Sequence, residues 1–376
     1  MRGERKSHLI LQEDQAPGRF LTAFDRMCNS GGDCYYFRVA LLYKYSLRLL
    51  GAAALIGLTI YLVRAFDSRR MPELAAEHRI FFENEFSAAD ETHTDWARYL
   101  EIEHELQAEL SEKIPGDERP RNVLDRYWPG SVTWPGNFDG YWNRSYELQV
   151  PQARGYAVLL HGLSDSPYTM LSTAQSLAGA GYGVVVPRMP GHGFAVSGLL
   201  QAESADWMAA ARMAIRHAMS NIADGQELLL VGYSNGGLIG LNYALTCHDD
   251  DTMRCPDKML FLSPAIGVSK AAIVANWHSA LSWIPYFERF KWLSVFPEID
   301  PFKFTSFPKK TGWEIHKLAT QTQKLLRDTE RTRRLPPILT FQSVVDNTVS
   351  SSAVINVLYS RLPDNVSKIV VYDVNR

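Results

Sequence analysis

Five residues, Gly232-Tyr233-Ser234-Asn235-Gly236, carry the strongest chemical signal in this chain of 376 residues. They follow the apolar run Leu228 to Val231 and lead into a segment where Leu238, Leu241, Ala244 and Leu245 recur at helical spacing. Strand, tight turn and helix in that order are the context in which a serine flanked by glycines two places away on each side is a nucleophile. A serine hydroxyl is a poor nucleophile at neutral pH. It has to be presented at a sharp turn, beside a base, with N–H donors ready for the oxyanion that attack creates. Gly232 and Gly236 leave room for such a turn, and a helix starting at Ser234 directs positive partial charge at the reaction centre. A glycine-rich turn without chemistry would use the same residues, and the flanking strand and helix favour the nucleophile.

A second segment points the same way. Tyr156 to Leu160 reads as a buried strand and runs directly into His161-Gly162-Leu163-Ser164-Asp165-Ser166-Pro167. Together, VLLHGLSDSP, GYGVVVPRMPGHG and LLLVGYSNGG resemble the α/β-hydrolases of the monoglyceride-lipase and bacterial carboxylesterase type, with a serine aminopeptidase-type hydrolase domain, from about Gly155 onward. The resemblance implies an α/β fold: a mostly parallel sheet flanked by helices, with a cap inserted between two core strands. It implies Ser234 as nucleophile and an oxyanion hole made by the backbone N–H groups of Leu163 and Asn235. His161 and His192 then read as turn histidines. The family's acid follows a later strand; Ile338 to Val345 reads as that strand, and Asp346 at its end is the expected acid, orienting the catalytic imidazole. An aspartate there would also serve as a helix cap.

In this family the histidine comes after the acid and one further strand. Lys368 to Val374 has the β-branched composition of that strand, yet all ten histidines precede Asp346, the last being His316. Three explanations stand. The base lies beyond Arg376, this chain being a shortened form of a longer hydrolase; or a cap histidine, His278 or His316, enters from an unusual direction; or the protein is a catalytically impaired hydrolase-fold binder of a lipid or a partner.

Composition narrows the rest. With 46% hydrophobic residues the chain can bury a large core, and a net charge of −2 without any basic face gives no expectation of nucleic-acid binding. No cofactor or metal is expected, since neither a phosphate-cradling glycine loop nor a Cys/His set with metal-ligand spacing is present. Oligomeric state is left open. The acidic stretch Glu101 to Glu112 carries Ile102, Leu106, Leu110 and Ile114 at helical spacing and reads as a helix with a solvated acidic face.

Residues 1–44 form an amino-terminal tail and 45–66 a transmembrane helix, whose centre, Leu49 to Val63, holds no charge. Arg48 and Arg64 bound that centre and suit the headgroups. A buried soluble helix is the competing assignment. The basic tail favours an amino terminus inside, which puts the hydrolase on the periplasmic or extracytoplasmic side. Cys247 and Cys255 would be joined in an oxidising compartment and Cys28 and Cys34 reduced inside, with unpaired thiols as the alternative. Asn143 and Asn365 fit the glycosylation pattern. Residues 67–126 read as a helical stalk or collar, and 127–376 as the hydrolase domain, its first strands between Tyr127 and Leu148.

The cap spans about 265–336 and is dense in aromatics, among them Trp277, Trp283, Phe290, Trp292, Phe302, Phe304 and Trp313. Most of these rings would hold the cap together. As a set, with a membrane anchor, they point to an ester or lipid-like substrate cleaved through an acyl-enzyme. Amide hydrolysis is the rival chemistry; it would need an acidic contact for the substrate amine, for which Glu298 and Asp300 are available.

Overall fold

The computed structural model describes residues 33–70, 72–114, 122–140, 142–267, 285–345, 351–363 and 366–373. The chain divides into two compact units, Met1–Asp67 and Ser68–Arg376. Helix α1 runs Asp33–Arg69, nearly all of it in the first unit, and contains an apolar stretch, Val39–Val63, long enough to cross a bilayer, none of it buried. That stretch starts six residues before the span expected from Tyr45. It carries apolar side chains on every face, including the exposed Leu42, Leu49, Leu50 and Leu55.

Among the described residues, the second unit has nine strands: β1 (Tyr146–Leu148), β2 (Gly155–Leu160), β3 (Tyr182–Val186), β4 (Glu227–Tyr233), β5 (Lys258–Leu262), β6 (Trp292–Ser294), β7 (Phe307–Pro308), β8 (Ile338–Ser343) and β9 (Lys368–Tyr372). Seven form one sheet in the order β1-β3-β2-β4-β5-β8-β9, parallel except for β1. The helices flanking it include α2 (Trp96–Lys113), α3 (Leu171–Gly179), α4 (Ser204–Asn221), α5 (Asn235–Thr246) and α6 (Lys309–Leu325). Strand β2 shows why its run is apolar throughout. Tyr156, Val158 and Leu160 point into the larger core with α4 and α5, while Ala157 and Leu159 point into a second core against α3. The α/β-hydrolase architecture is therefore present.

Several expectations need correction. Among the described residues of Tyr127 to Leu148, only Tyr146–Leu148 is strand; Pro129, Gly130, Pro135 and Gly136 lie in turns before it. The segment taken as a stalk belongs to the hydrolase unit, which starts at Ser68 and not at Tyr127. Its helix α2 buries Trp96, Tyr99, Ile102, Leu106 and Leu110 in the main core. Its acidic face is not wholly solvated either, because Glu103 is fully buried. Helix α6, within the expected cap, sits in the flanking layer beside α5: Ile315, Leu318 and Ala319 join the main core, and Asn242 donates to Thr322 at 2.9 Å. Asn143 is buried and donates to the Pro301 carbonyl at 2.8 Å, which closes it to glycosylation; Asn365 lies outside the described residues. Cys247 and Cys255 are joined as a disulfide tying the end of α5 to the approach to β5. Cys28 and the Cys34 side chain lie outside the described residues.

Candidate active site

Ser234 sits between β4 and α5 with φ 53° and ψ −113°, one of four described non-glycine residues at positive φ. Such a conformation costs about 1–3 kcal/mol and persists only when its surroundings impose it. Here they do. Ser234 N–H donates to Leu262 C=O at 2.9 Å, and the Ser234 carbonyl accepts from Gly237, Leu238 and Ala265 N–H at 3.1, 3.2 and 3.0 Å. The turn is also as crowded as its glycines suggest. A Cβ on Gly236 would collide with the Leu160 carbonyl, and one on Gly232 with the backbone of Gly236 and Gly237. The Ser234 side chain is half-buried, and its hydroxyl has no hydrogen-bond partner among the described residues.

Register brings the second loop to the same edge. Leu160 pairs with Gly232 across β2 and β4, so His161-Gly162-Leu163 leaves the sheet alongside the serine turn. The His161 ring is fully buried; its Nε2 accepts from Met189 N–H at 2.9 Å, and its Nδ1 donates to Gly162 C=O at 2.9 Å. That carbonyl belongs to the same planar peptide as the Leu163 N–H, so holding it fixes the N–H on the opposite side. Burial, then the neighbouring His192 and Arg188, hold His161 well below its usual pKa, keeping Nε2 an acceptor. Neither Leu163 N–H nor Asn235 N–H has an acceptor among the described residues. These two backbone donors stand at the same edge as the serine hydroxyl.

The inserted segment grips this loop. Phe304 N–H donates to Ser164 C=O at 2.8 Å, the Phe302 ring stacks on Tyr168 at 3.8 Å, and Lys303 Nζ lies 3.2 Å from the buried Asp165 carboxylate. Burial raises the Asp165 pKa, with Lys303 opposing it. Sequence reasoning missed this clamp, whose partners stand about 140 positions apart. It also missed the Asn235 side chain: fully buried, with neither Oδ1 nor Nδ2 hydrogen-bonded.

The remaining candidates fall as follows. Asp346 and His278 lie outside the described residues. Strand β8 ends three residues before Asp346, two strands from β4, with β5 between them and its carboxyl end on the same edge as Ser234. Strand β9 is present where the resemblance implies it, parallel to β8. His316 bonds Thr320 on its own helix at 3.4 Å, and His192 bonds the Pro190 carbonyl at 3.0 Å. No described histidine is hydrogen-bonded to Ser234. Glu298 accepts from Thr305 and Ser306 N–H at 3.0 and 2.9 Å, and Asp300 from Phe302 and Lys303 N–H at 2.8 and 3.0 Å, so both shape their own loop. One grouping of metal-ligand type occurs among the described residues, Cys247, His248 and Cys255, and its two sulfurs are bonded to each other.

A scan against family models matches residues 151–375 to the family described as serine aminopeptidase, S33. Among solved structures, one from the metagenome-derived lipolytic enzymes LipS and LipT is similar at 18% identity and a TM-score of 0.51, covering 61% of this chain and 87% of that one. A monoacylglycerol lipase from Paleococcus ferrophilus is similar at 19% identity and a TM-score of 0.45, covering 61% and 88%. A monoglyceride lipase from Saccharomyces cerevisiae, a soluble variant bound to a substrate analogue, is similar at 15% identity and 0.47, covering 61% and 82%. No curated protein matches the chain significantly. With the family match spanning more than half its length, over the strands, serine turn and His161 loop just described, the chain belongs to the serine aminopeptidase S33-like family of α/β-hydrolases.

Proposed function

We propose that this protein is a membrane-anchored serine hydrolase that cleaves carboxylic esters of apolar or lipid-like substrates through an acyl-enzyme. The observation that carries the reading is the strained Ser234 turn facing a peptide plane that His161 holds with its Leu163 N–H free. In the reaction, Ser234 Oγ attacks the ester carbonyl carbon while its proton passes to an imidazole oriented by Asp346. The oxyanion takes the Leu163 and Asn235 N–H groups. Collapse expels the alcohol, which receives the proton, and water then releases the acid by the same steps. No described histidine is hydrogen-bonded to Ser234, and Asp346 lies outside the described residues.

Ester cleavage is preferred over amide cleavage because the two acidic residues suited to a substrate amine, Glu298 and Asp300, are engaged by backbone N–H groups. The uncovered apolar stretch of α1 supports the anchor. The Cys247–Cys255 disulfide supports an oxidising compartment for the hydrolase unit, in line with an amino terminus inside.

A fluorophosphonate probe tests the proposal. Covalent labelling that disappears in Ser234→Ala, with the variant still folded by circular dichroism, is the expected result. If the folded protein is not labelled at Ser234, the hydrolase reading gives way to a binding protein that uses the same fold.

A further inference from the structure

Away from the serine turn, the 68–376 unit leaves an unusual apolar surface in water. Val123, Leu124 and Val132 are 64, 46 and 61% exposed, and Leu293, Phe296 and Ile299 are 59, 57 and 43% exposed. The two groups come from distant parts of the sequence and are laid side by side. Val132 N–H donates to Val123 C=O at 3.1 Å, Arg126 N–H donates to Glu298 C=O at 3.1 Å, and Leu124 and Phe296 line one shallow cavity of about 250 Å³. Single exposed apolar residues are ordinary, but six on two adjoining segments leave on the order of 500 Å² of apolar surface, near the upper end for a monomer.

Connectivity says what would cover it. Pro72 and Glu73 line the same cavity as Leu124 and Phe296. Pro72 is three residues past Arg69, where α1 ends, a distance the chain can span with at most ~11 Å. From Val63, where the apolar stretch stops, to Arg69 is a further ~9 Å of helix. The chain thus reaches this cavity three residues after α1 ends and nine residues after the apolar stretch stops.

We propose that the face formed by Val123, Leu124, Val132, Leu293, Phe296 and Ile299 rests on the lipid bilayer as a second membrane contact; this rests on the anchor reading above. Apolar side chains at such a contact enter the boundary between headgroups and acyl chains. The contact also bears on substrate. The segment carrying Phe296 and Ile299 continues into Phe302 and Phe304, which grip the Ser164 to Tyr168 loop beside the oxyanion donors. An apolar ester leaving the bilayer here reaches the serine edge along protein instead of through water.

The experiment uses the full chain in phosphatidylcholine vesicles doped with a phosphatidylcholine bearing a diazirine in its acyl chain, followed by irradiation and peptide mapping. Lipid adducts are expected on peptides holding 123–132 and 293–299 as well as on 39–63. A Leu124→Glu, Phe296→Glu double variant should lose the first two several-fold and keep the third. Adducts on 39–63 alone overturn the docking face and leave the anchor standing. Absence of adducts on 39–63 removes the anchor and the docking face with it.

Discussion

A methyl group at Gly236 would meet the Leu160 carbonyl and lie 2.8 Å from the His161 oxygen, both backbone atoms that cannot step aside. Gly236→Ala should therefore cost about 3 kcal/mol or more, visible as a lowered urea midpoint with unchanged slope. Gly179 is the contrast, since a Cβ there meets nothing within 4 Å at the end of α3. Gly179→Ala should be neutral or stabilise by about 0.5–1 kcal/mol by the same measurement. His192 gives a pH dependence. Burial brings its pKa down to about 4, although the Pro190 carbonyl opposes this, and its Nε2 is buried without a partner. A histidine depressed in the fold contributes stability that is present above about 6.5 and lost as pH falls towards 4, because the unfolded chain takes up the proton first. Between pH 7 and 5 this residue should remove about 2 kcal/mol. Urea midpoints at those two values should differ less in His192→Gln than in the parent; an equal difference would show that His192 is not the titrating group.

At the scale of elements, the collar is held by charge as much as by apolar contact. The Arg188 guanidinium, fully buried, pairs with Glu85 at 2.8 Å and with Glu103 at 3.1 Å. Glu103 also accepts from Ser145 N–H and Oγ at 2.8 and 2.6 Å, and Tyr99 donates to the Arg188 carbonyl at 2.6 Å. One network thus joins α2, Ser145 just before β1, and the Arg188 to Gly193 loop that carries His192. Removing one partner leaves a buried charge poorly matched, so Glu103→Ala should cost about 3–5 kcal/mol in thermal or urea unfolding. Retention of parental stability would mean that water reaches Arg188. The stripe Ile102, Leu106, Leu110 was legible because burial of a helix face has a period of its own. The burial of Glu103 was not, because its partner lies 85 positions away and local pattern assigns a glutamate to water.

For the molecule as a whole, the division at Asp67 predicts separable behaviour. Removing residues 1–67 should release the protein from membranes in carbonate extraction while the remaining unit keeps a cooperative unfolding transition; continued sedimentation with membranes would mean that other surfaces suffice. Ser234, its two flanking glycines, the strands on either side and the apolar helix could all be read in order along the chain, because each depends on neighbours within a few residues: side-chain period, turn sterics, unbroken hydropathy. The serine's positive φ, the peptide plane held by His161, the clamp from Phe302 to Phe304 and the buried Arg188 needed the fold. Each is a meeting of residues tens to more than a hundred positions apart, and no local rule of spacing or propensity encodes which distant side chain will fill a given place.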